Sequence, residues 1–573
     1  MAIVPGYGRR RWTPRVPAPD EPGGGPQDAG AATPASGASM SDNELREAAF
    51  LGVRWFAVTQ AIAQITTLAA AVVLARLISP ADFGRLAIAI IVSEFSLMIS
   101  NETIGTPLVQ RPDITRKHLE GATLLGLMIG IALALLTLFA IPLVTTPVFG
   151  ARTTDLFRLF APQFAITGLM IVPQARLQRD LRFRRIGLSE ATGVVVSSII
   201  SVALAIAGLG AAAYVLGMLI GVLIMALGYI SGGRPVMPRW HPKEMRELLG
   251  FGLPATAAGF AGVSYRNVDY MILGARLSSV IVGFYYRAFT IGVEYERRLS
   301  GIVARIAFPV YTRTEDPERR LALRLRIVRV NVVLVYPMLA LFIALAPTLV
   351  PWLFGAHWTP AILPAQILAV AGMASCVRNL HGPTVLAAGR PKALFLFCCA
   401  ETLAYAATVW VASSHGLTIV CVAVSGFQLA SLLIAYTVLL HSTVGMARTQ
   451  IFRDLGPAVL ASTPLLLVAM ALRRALADQV PVPVLLILAG AAGGTVYLLA
   501  LRALSKEAWS DVALLTQRVL PGVERLGRRL LPGPVRSPRP ERATGPSRPS
   551  QTSALNAAAR AAIKSTSEAQ SRS

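Results

Sequence analysis

The feature that most constrains this chain is a series of apolar segments, each close to the about 20 residues that a membrane-spanning helix requires. Hydrophobic residues make up 54% of the 573 residues and charged residues only 15%, a balance with which a soluble protein of this size would precipitate. The sequence therefore predicts an all-α polytopic membrane protein with about 14 transmembrane helices. The segments lie at roughly 55–76, 84–106, 119–142, 156–176, 186–207, 211–231, 248–274, 279–302, 328–350, 361–387, 393–413, 417–440, 455–475 and 483–503.

Basic residues are distributed unevenly between the two sides of the predicted membrane. When the N-terminus is placed in the cytoplasm, the inner loops and helix ends hold 25 arginines and lysines and the outer ones hold 7. Short cytoplasmic loops carry such an excess. The bias predicts that both termini are cytoplasmic, and it explains most of the formal net charge of +24 without a nucleic-acid partner.

Two stretches in the two halves of the chain resemble one another. LARLISPADFGRLAIA (Leu74–Ala89) and GARLSSVIVGFYYRAF (Gly274–Phe289) both read Ala-Arg-Leu, a short polar turn, and a glycine with an aromatic neighbour. Parallel repeats are typical of transporters, whose substrate sites lie between the repeats. The predicted domains are a disordered cytoplasmic tail at 1–44, an N-terminal lobe at 45–245, a C-terminal lobe at 246–445, helices 13 and 14 at 446–505, and a mostly disordered basic cytoplasmic tail at 506–573.

Three arginines fall inside apolar segments, where a charge costs about 3 kcal/mol on insertion scales and therefore faces a partner or a wet cavity. Arg266 precedes Asp269 by three residues, a spacing that predicts an ion pair on one helix face. Arg287 and Arg378 have no obvious acidic partner close by in the sequence. Because guanidinium groups match phosphate oxygens and stay charged when buried, we predict that the three arginines form a cationic cavity for phosphate or pyrophosphate.

Asp269, Glu94, Glu294 and His381 are candidates for a supporting or coupling role. A carboxyl group in a low-dielectric site can carry a proton, and it can equally serve as a polar contact between helices. The sequence leaves both interpretations open for Glu94. For His381 a structural role is favoured, because a single histidine does not establish a switch.

Gly252, Pro254 and Gly259 interrupt the seventh segment shortly before Arg266. Breaks of this kind predict a helix that bends, and a bending helix suits alternating access. Close helix packing through small residues explains the same pattern equally well.

The basic stretch from Arg313 to Arg329 has helical spacing of its apolar residues. We predict that it lies along the cytoplasmic surface of the membrane, where anionic lipids attract it. A loop that only sets topology is the simpler alternative.

Motifs that would indicate an enzyme or a metal site are absent from the sequence. It contains no P-loop, no GxSxG and no HExxH, and its four cysteines lack metal-ligand spacing. We therefore expect neither catalysis nor a cofactor.

Four stretches in combination are similar to one transporter family: VLARLISPADFGRLAIA (Val73–Ala89), IGTPLVQRPDIT (Ile104–Thr115), LQRDLRFRR (Leu177–Arg185) and NVDYMILGARLSSVIVGFYYRA (Asn267–Ala288). They resemble the Wzx-type polysaccharide flippases, in the branch that includes the colanic acid exporter, within the multidrug/oligosaccharidyl-lipid/polysaccharide superfamily. The resemblance covers residues 45–505. The second copy departs from the family at Ser278–Ser279, where a Leu-Gly pair is usual.

The resemblance implies two six-helix lobes in a V around a central cavity, with helices 13 and 14 beside them. It also implies a bacterial inner-membrane protein that moves an undecaprenyl-pyrophosphate-linked oligosaccharide to the periplasmic leaflet by alternating access. An H⁺ or Na⁺ gradient or the membrane potential would drive the step. The implied partners are the lipid-linked oligosaccharide, membrane lipids, and a polysaccharide polymerase with its co-polymerase. A lipid II flippase, a cation/drug antiporter of the same superfamily and a non-transporting scaffold stay open as alternatives.

Overall fold

The computed structural model describes residues 42–233, 235–314 and 316–511, and all regular elements in these ranges are helical. The predicted all-α fold is thereby confirmed. Most of the two predicted tails, at 1–41 and 512–573, lies outside the described residues. The long helices are α1 Asp42–Leu77, α2 Pro80–Gln110, α3 Arg116–Phe149, α4 Ala151–Arg179, α5 Phe183–Ile206, α6 Ala211–Gly233, α7 Pro242–Arg276, α8 279–312, α9 Pro317–Phe354, α10 Ala356–Ala387, α11 Pro391–His415, α12 Leu417–Val444, α13 Gln450–Leu476 and α14 Val482–Leu504.

Thirteen helices in the described part of the chain are long and apolar enough to cross a membrane. The helix that does not qualify is α8, whose middle carries Glu294, Glu296, Arg297 and Arg298. It also contains a π-helical turn at Thr290–Glu294, and such turns are frequent at functional sites. The fourteen predicted segments thus correspond to thirteen apolar helices and one polar helix.

The helices form two compact units. The first unit comprises the chain up to Ala71 together with Ser93–Pro142 and Phe157–Phe260. The second unit comprises Val72–Val92, Leu143–Leu156 and the chain from Ala261 onward. Helices α1, α2, α3, α4 and α7 contribute residues to both units.

Pairs of facing glycines hold neighbouring helices together in the first unit. A Cβ on Gly126 of α3 would lie 2.6 Å from the carbonyl oxygen of Gly168 of α4, and the reverse distance is 2.2 Å. Gly193 of α5 and Gly221 of α6 face one another in the same way, at 2.7 and 2.6 Å. Membrane helices approach this closely only through small residues, so these glycines fix the α3–α4 and α5–α6 pairs.

Helix α9 is central to the second unit. Its buried residues Val332 and Tyr336 belong to a hydrophobic core that also includes residues of α10, α13 and α14. The hydroxyl of Tyr497 on α14 donates a 2.9 Å hydrogen bond to the carbonyl of Val333. Arg76 donates to carbonyl oxygens in the last turn of α9 and so satisfies groups that a helix end leaves unpaired.

The predicted surface helix at 313–329 is not a separate element. The Asp316 side chain caps the start of α9, which then continues unbroken as a 38-residue helix. Arg324 in its second turn is fully buried, 3.5 Å from Asp454 of α13 and 5.2 Å from the centre of the Tyr436 ring. The surface prediction was therefore wrong for the face that carries Arg324, because α13 covers that face.

Candidate functional site

Arg266 is an exposed arginine on a helix that is apolar enough to span a membrane. It lies on α7, and its Nη1 atom is 3.7 Å from the position that a Cβ on Gly262 would occupy. Among the described residues, no ion pair includes Arg266. Lipid chains do not solvate a guanidinium, so a side chain in this position requires water or an anion beside it.

The Asp269 side chain is buried and accepts hydrogen bonds from two tyrosines. The hydroxyls of Tyr285 on α8 and Tyr405 on α11 donate to Asp269 Oδ2 at 2.7 and 3.1 Å, and the Tyr270 backbone N–H donates to Oδ1 at 2.9 Å. The predicted ion pair between Arg266 and Asp269 is therefore wrong. The contacts to α8 and α11 hold Asp269 inside the second unit, whereas Arg266 is exposed.

Arg378 has an acidic partner on the neighbouring helix. Its Nη1 atom lies 3.3 Å from Oε1 of Glu401 on α11, and its guanidinium carbon lies 4.9 Å from the centre of the Tyr265 ring. Glu401 also accepts hydrogen bonds from the Tyr265 and Ser431 hydroxyls. The sequence shows no acid close to Arg378, and the structure supplies one from the following helix.

Arg287 lies buried among aromatic rings of the second unit. Its guanidinium carbon is 4.5, 4.8 and 5.1 Å from the ring centres of Phe83, Phe354 and Trp358. The indole N–H of Trp358 donates to the Ala75 carbonyl at 2.8 Å and fixes that ring. Cation–π attraction strengthens away from water, so the enclosure stabilises the buried charge. A role for Arg287 in substrate binding stays a prediction.

The candidates for a supporting or coupling role other than Asp269 have different surroundings. Glu94 is half-buried on α2. Glu294 ends the π-helical turn of α8 and pairs with Arg297 at 3.1 Å. His381 on α10 is buried, its ring meets Tyr436 edge-on at 5.5 Å, and neither ring nitrogen has a hydrogen-bond partner within the described ranges. Their roles in coupling stay predictions.

Gly252 and Gly259 are close-packing positions on α7. A Cβ on Gly252 would lie 2.2 Å from the Thr103 carbonyl oxygen, and one on Gly259 would lie 2.9 Å from the Met98 sulfur, both on α2. Helix α7 continues without a break through Pro254. These contacts show helix packing, and a hinge at the three residues stays a prediction.

A buried polar network that the sequence interpretation missed connects α8, α9 and α10. Glu296 is 3% exposed and accepts a 2.5 Å hydrogen bond from the Ser300 hydroxyl. The Asn331 amide donates to Ser300 Oγ at 3.0 Å and to the Cys376 carbonyl at 2.9 Å. In the sequence Glu296 is next to Arg297, so it resembled a residue at the exposed, charged end of a helix. The available signal was the i,i+4 spacing of Glu296 and Ser300, which places both on one helix face.

The fold and the polar groups within its spans define the class of this protein. The described residues contain no group of three or more His, Cys, Asp or Glu side chains that could hold a metal ion. Thirteen apolar helices that enclose ion pairs and polar networks are typical of a multi-pass membrane transporter. The chain belongs to the polysaccharide biosynthesis protein family, whose model matches residues 73–363.

Curated relatives confirm the family that the motifs predict. The lipopolysaccharide biosynthesis protein WzxC of Escherichia coli (strain K12) is 25% identical over 449 residues, which cover 76% of this chain and 89% of the relative. The teichuronic acid biosynthesis protein TuaB of Bacillus subtilis (strain 168) is 24% identical over 362 residues, which cover 61% and 74%. The chain is thus a Wzx-like, multi-pass membrane member of the polysaccharide biosynthesis protein family.

A solved structure shows the same fold. The lipid II flippase MurJ in an inward closed conformation is similar with a TM-score of 0.65 at 14% identity, covering 81% of this chain and 99% of that structure. At this identity the likeness concerns the fold alone. The fold is that of the multidrug/oligosaccharidyl-lipid/polysaccharide superfamily, as predicted.

Proposed function

We propose that this chain is an inner-membrane flippase for undecaprenyl-pyrophosphate-linked oligosaccharide repeat units that are used in surface polysaccharide biosynthesis. Family membership and the names of the two curated relatives support a role in polysaccharide assembly. The distribution of basic residues supports cytoplasmic termini. The flipped unit then passes to a periplasmic polymerase and its co-polymerase.

The observation that carries the proposal is the position of Arg266. A permanently charged, exposed guanidinium on an apolar span is unfavourable unless it faces a water-filled path or an anion. Guanidinium groups bind phosphate oxygens in pairs, and the pyrophosphate is the charged part of this substrate. Arg266 therefore binds the pyrophosphate as it crosses the membrane.

The neighbouring groups position Arg266. Asp269, three residues further along α7, is held by hydrogen bonds to Tyr285 and Tyr405, and these contacts fix the rotation of the helix about its axis. Arg378 stacks on Tyr265, the residue before Arg266, and contributes positive potential that Glu401 partly offsets. The site is thus held by α8, α10 and α11 before substrate arrives.

Arg287 contributes a further positive charge from its aromatic enclosure. Alternating access exposes the arginines to each side of the membrane in turn, with bending of α7 at Gly252, Pro254 and Gly259. Glu94, Glu294 and His381 are the groups through which an H⁺ or Na⁺ gradient would be coupled. No cofactor takes part in this scheme.

The test is deletion of the gene, followed by mass spectrometry of lipid-linked glycans and measurement of surface polysaccharide. We expect undecaprenyl-pyrophosphate oligosaccharide to accumulate while the surface polysaccharide disappears. The wild-type gene and an Arg453→Gln variant should restore export, whereas Arg266→Gln should not at equal protein level. Arg453 is the matched control, because it is an exposed arginine near the start of α13.

Unchanged lipid-linked glycans and surface polysaccharide, in a strain with no second transporter of this family, would overturn the proposal. Rescue of a strain that is depleted of its lipid II flippase would indicate lipid II as the substrate. Export of a fluorescent cationic dye would indicate a drug antiporter.

A further inference from the structure

The first unit contains a polar cavity between α2 and α4. Its volume is about 160 Å³, of the size of a single sugar ring, and nine residues line it. The α2 wall consists of Asn101, Gly105, Thr106, Val109 and Gln110, and the α4 wall consists of Ile171, Gln174, Ala175 and Gln178. On each helix these positions recur at spacings of one, three and four residues, so each wall is one continuous helix face.

The lining is rich in carboxamides and contains no charged side chain. Asn101, Gln110, Gln174 and Gln178 each offer a carbonyl oxygen and an NH₂ group, and Thr106 adds a hydroxyl. Groups that both donate and accept are suited to sugar hydroxyls, which also do both. A pyrophosphate would find no cation among the lining residues, so this cavity does not suit the charged part of the substrate.

Gln174, one of the lining residues, has unmet hydrogen-bonding capacity. Its Oε1 atom is buried and has no hydrogen-bond partner among the described residues. An unpartnered buried polar atom costs free energy unless a ligand or water supplies the missing group. Gln174 therefore gains a hydrogen bond if its carboxamide turns so that this oxygen meets a hydroxyl in the cavity.

The two walls are held together at both ends of the cavity. Beside Ile171, the first lining residue of α4, a Cβ on Gly105 of α2 would lie 3.1 Å from Cδ1 of that side chain, so the two helices are in contact there. At the end of α4, Arg179 donates hydrogen bonds to the carbonyls of Leu108 and Arg111 at 2.8 and 2.6 Å. A cavity with fixed walls binds a rigid ring with little loss of conformational freedom.

From this geometry we infer that the cavity between α2 and α4 is a binding subsite for one neutral sugar residue. The inference rests on the proposed function, because it assigns the cavity to the glycan of the lipid-linked substrate. In the cavity the carboxamides bind sugar hydroxyls. This subsite adds selection for the glycan to a transporter that would otherwise recognise only the lipid carrier.

The experiment compares two probes on the full-length protein in nanodiscs. One is undecaprenyl pyrophosphate, and the other is a panel of the same carrier bearing glucose, galactose or N-acetylglucosamine. We expect at least one glycosylated carrier to bind about tenfold more tightly than the bare carrier, as one to two additional hydrogen bonds would give. Gln174→Leu should abolish this preference and leave the affinity for the bare carrier unchanged.

Val109→Trp is the second variant, because Val109 is an exposed lining residue whose enlargement fills the cavity without disturbing the core. Gln479→Leu and Val459→Trp are the matched controls, since both residues are exposed and lie outside the cavity. We expect both cavity variants to lose the preference for the glycosylated carrier and both controls to keep it.

The outcomes separate this inference from the proposed function. If the wild-type protein binds all carriers equally, or if both cavity variants keep the preference, the subsite is wrong and the proposed function stands. If the protein binds neither the bare nor any glycosylated carrier, the proposed function fails and the subsite fails with it.

Discussion

Gly84 and Gly283 form the crossing point of α2 and α8. A Cβ on Gly84 would lie 1.8 Å from the carbonyl oxygen of Ser279, and one on Gly283 would lie 1.8 Å from the carbonyl oxygen of Pro80. Pro80 and Ser279 are the first residues of the two helices, so each glycine is the fifth residue of its own helix. The two stretches that resemble one another in sequence thus meet at equivalent positions.

The crossing predicts that Gly84→Ala destabilises the protein. Because the added carbon would overlap backbone atoms of α8, which cannot turn aside as a flexible side chain can, we expect a loss of about 1–3 kcal/mol in the free energy of unfolding. Thermal unfolding in detergent measures the effect as a lowered Tm. Gly301→Ala, on α8 with no heavy atom within 4 Å of the added carbon, is the control and should not lower the Tm. Equal Tm values for the two variants would contradict the close contact.

The two tyrosines that donate to Asp269 predict that removal of either hydroxyl lowers the free energy of unfolding. Tyr285→Phe or Tyr405→Phe removes one donor to a buried carboxyl group, which we expect to cost about 1–3 kcal/mol. Tyr311→Phe is the control, because the Tyr311 hydroxyl is buried without a partner among the described residues and its removal leaves no group unpaired. A Tyr311→Phe variant less stable than the other two would refute this account of Asp269. Chemical denaturation of the three variants gives the comparison.

The ion pair between Arg378 and Glu401 predicts strong coupling in a double-mutant cycle. Glu401→Gln leaves a largely buried guanidinium without its charge partner, and breaking such pairs costs about 3–5 kcal/mol. The cycle compares Glu401→Gln and Arg378→Met with the double variant that carries both. The double variant removes both charges, so we expect it to be more stable than Glu401→Gln alone. Glu507→Gln is the control, because the Glu507 side chain is 73% exposed. Additive changes in unfolding free energy would show that the pair contributes nothing.

The aromatic enclosure of Arg287 predicts that two substitutions can distinguish the contribution of its charge from the contribution of its packing. Arg287→Met fills a similar volume against the rings of Phe83 and Trp358, so we expect it to accumulate at the normal level. Arg287→Ala leaves a cavity and should accumulate less. We expect Arg287→Met to abolish polysaccharide export, measured in the deletion strain beside an Arg453→Met control. Normal export by Arg287→Met would limit Arg287 to a structural role.

The helices of this protein could be predicted from the sequence because hydrophobic length is a local property. The segments predicted at 211–231 and 483–503 correspond to Ala211–Gly233 and Val482–Leu504. Four short motifs indicated the family, which the match at 73–363 confirms. The predicted segment at 279–302 corresponds to α8, although its charges exclude it from the thirteen apolar helices.

The partners of the intramembrane charges could not be predicted in the same way. Arg266 and Asp269 are three residues apart, yet Asp269 is bound by tyrosines of α8 and α11. Arg378 pairs with Glu401 of the next helix, and Arg324, which resembled a surface residue, is covered by α13.

The sequence by itself determined how many long helices form, which apolar stretch each contains, and which family they belong to, because each helix satisfies its own backbone and its apolar length is written in consecutive residues. Only the tertiary structure decided which charges are buried, which are paired and which are exposed. Those outcomes depend on how each helix is rotated against its neighbours, and side chains on separate helices set that rotation jointly.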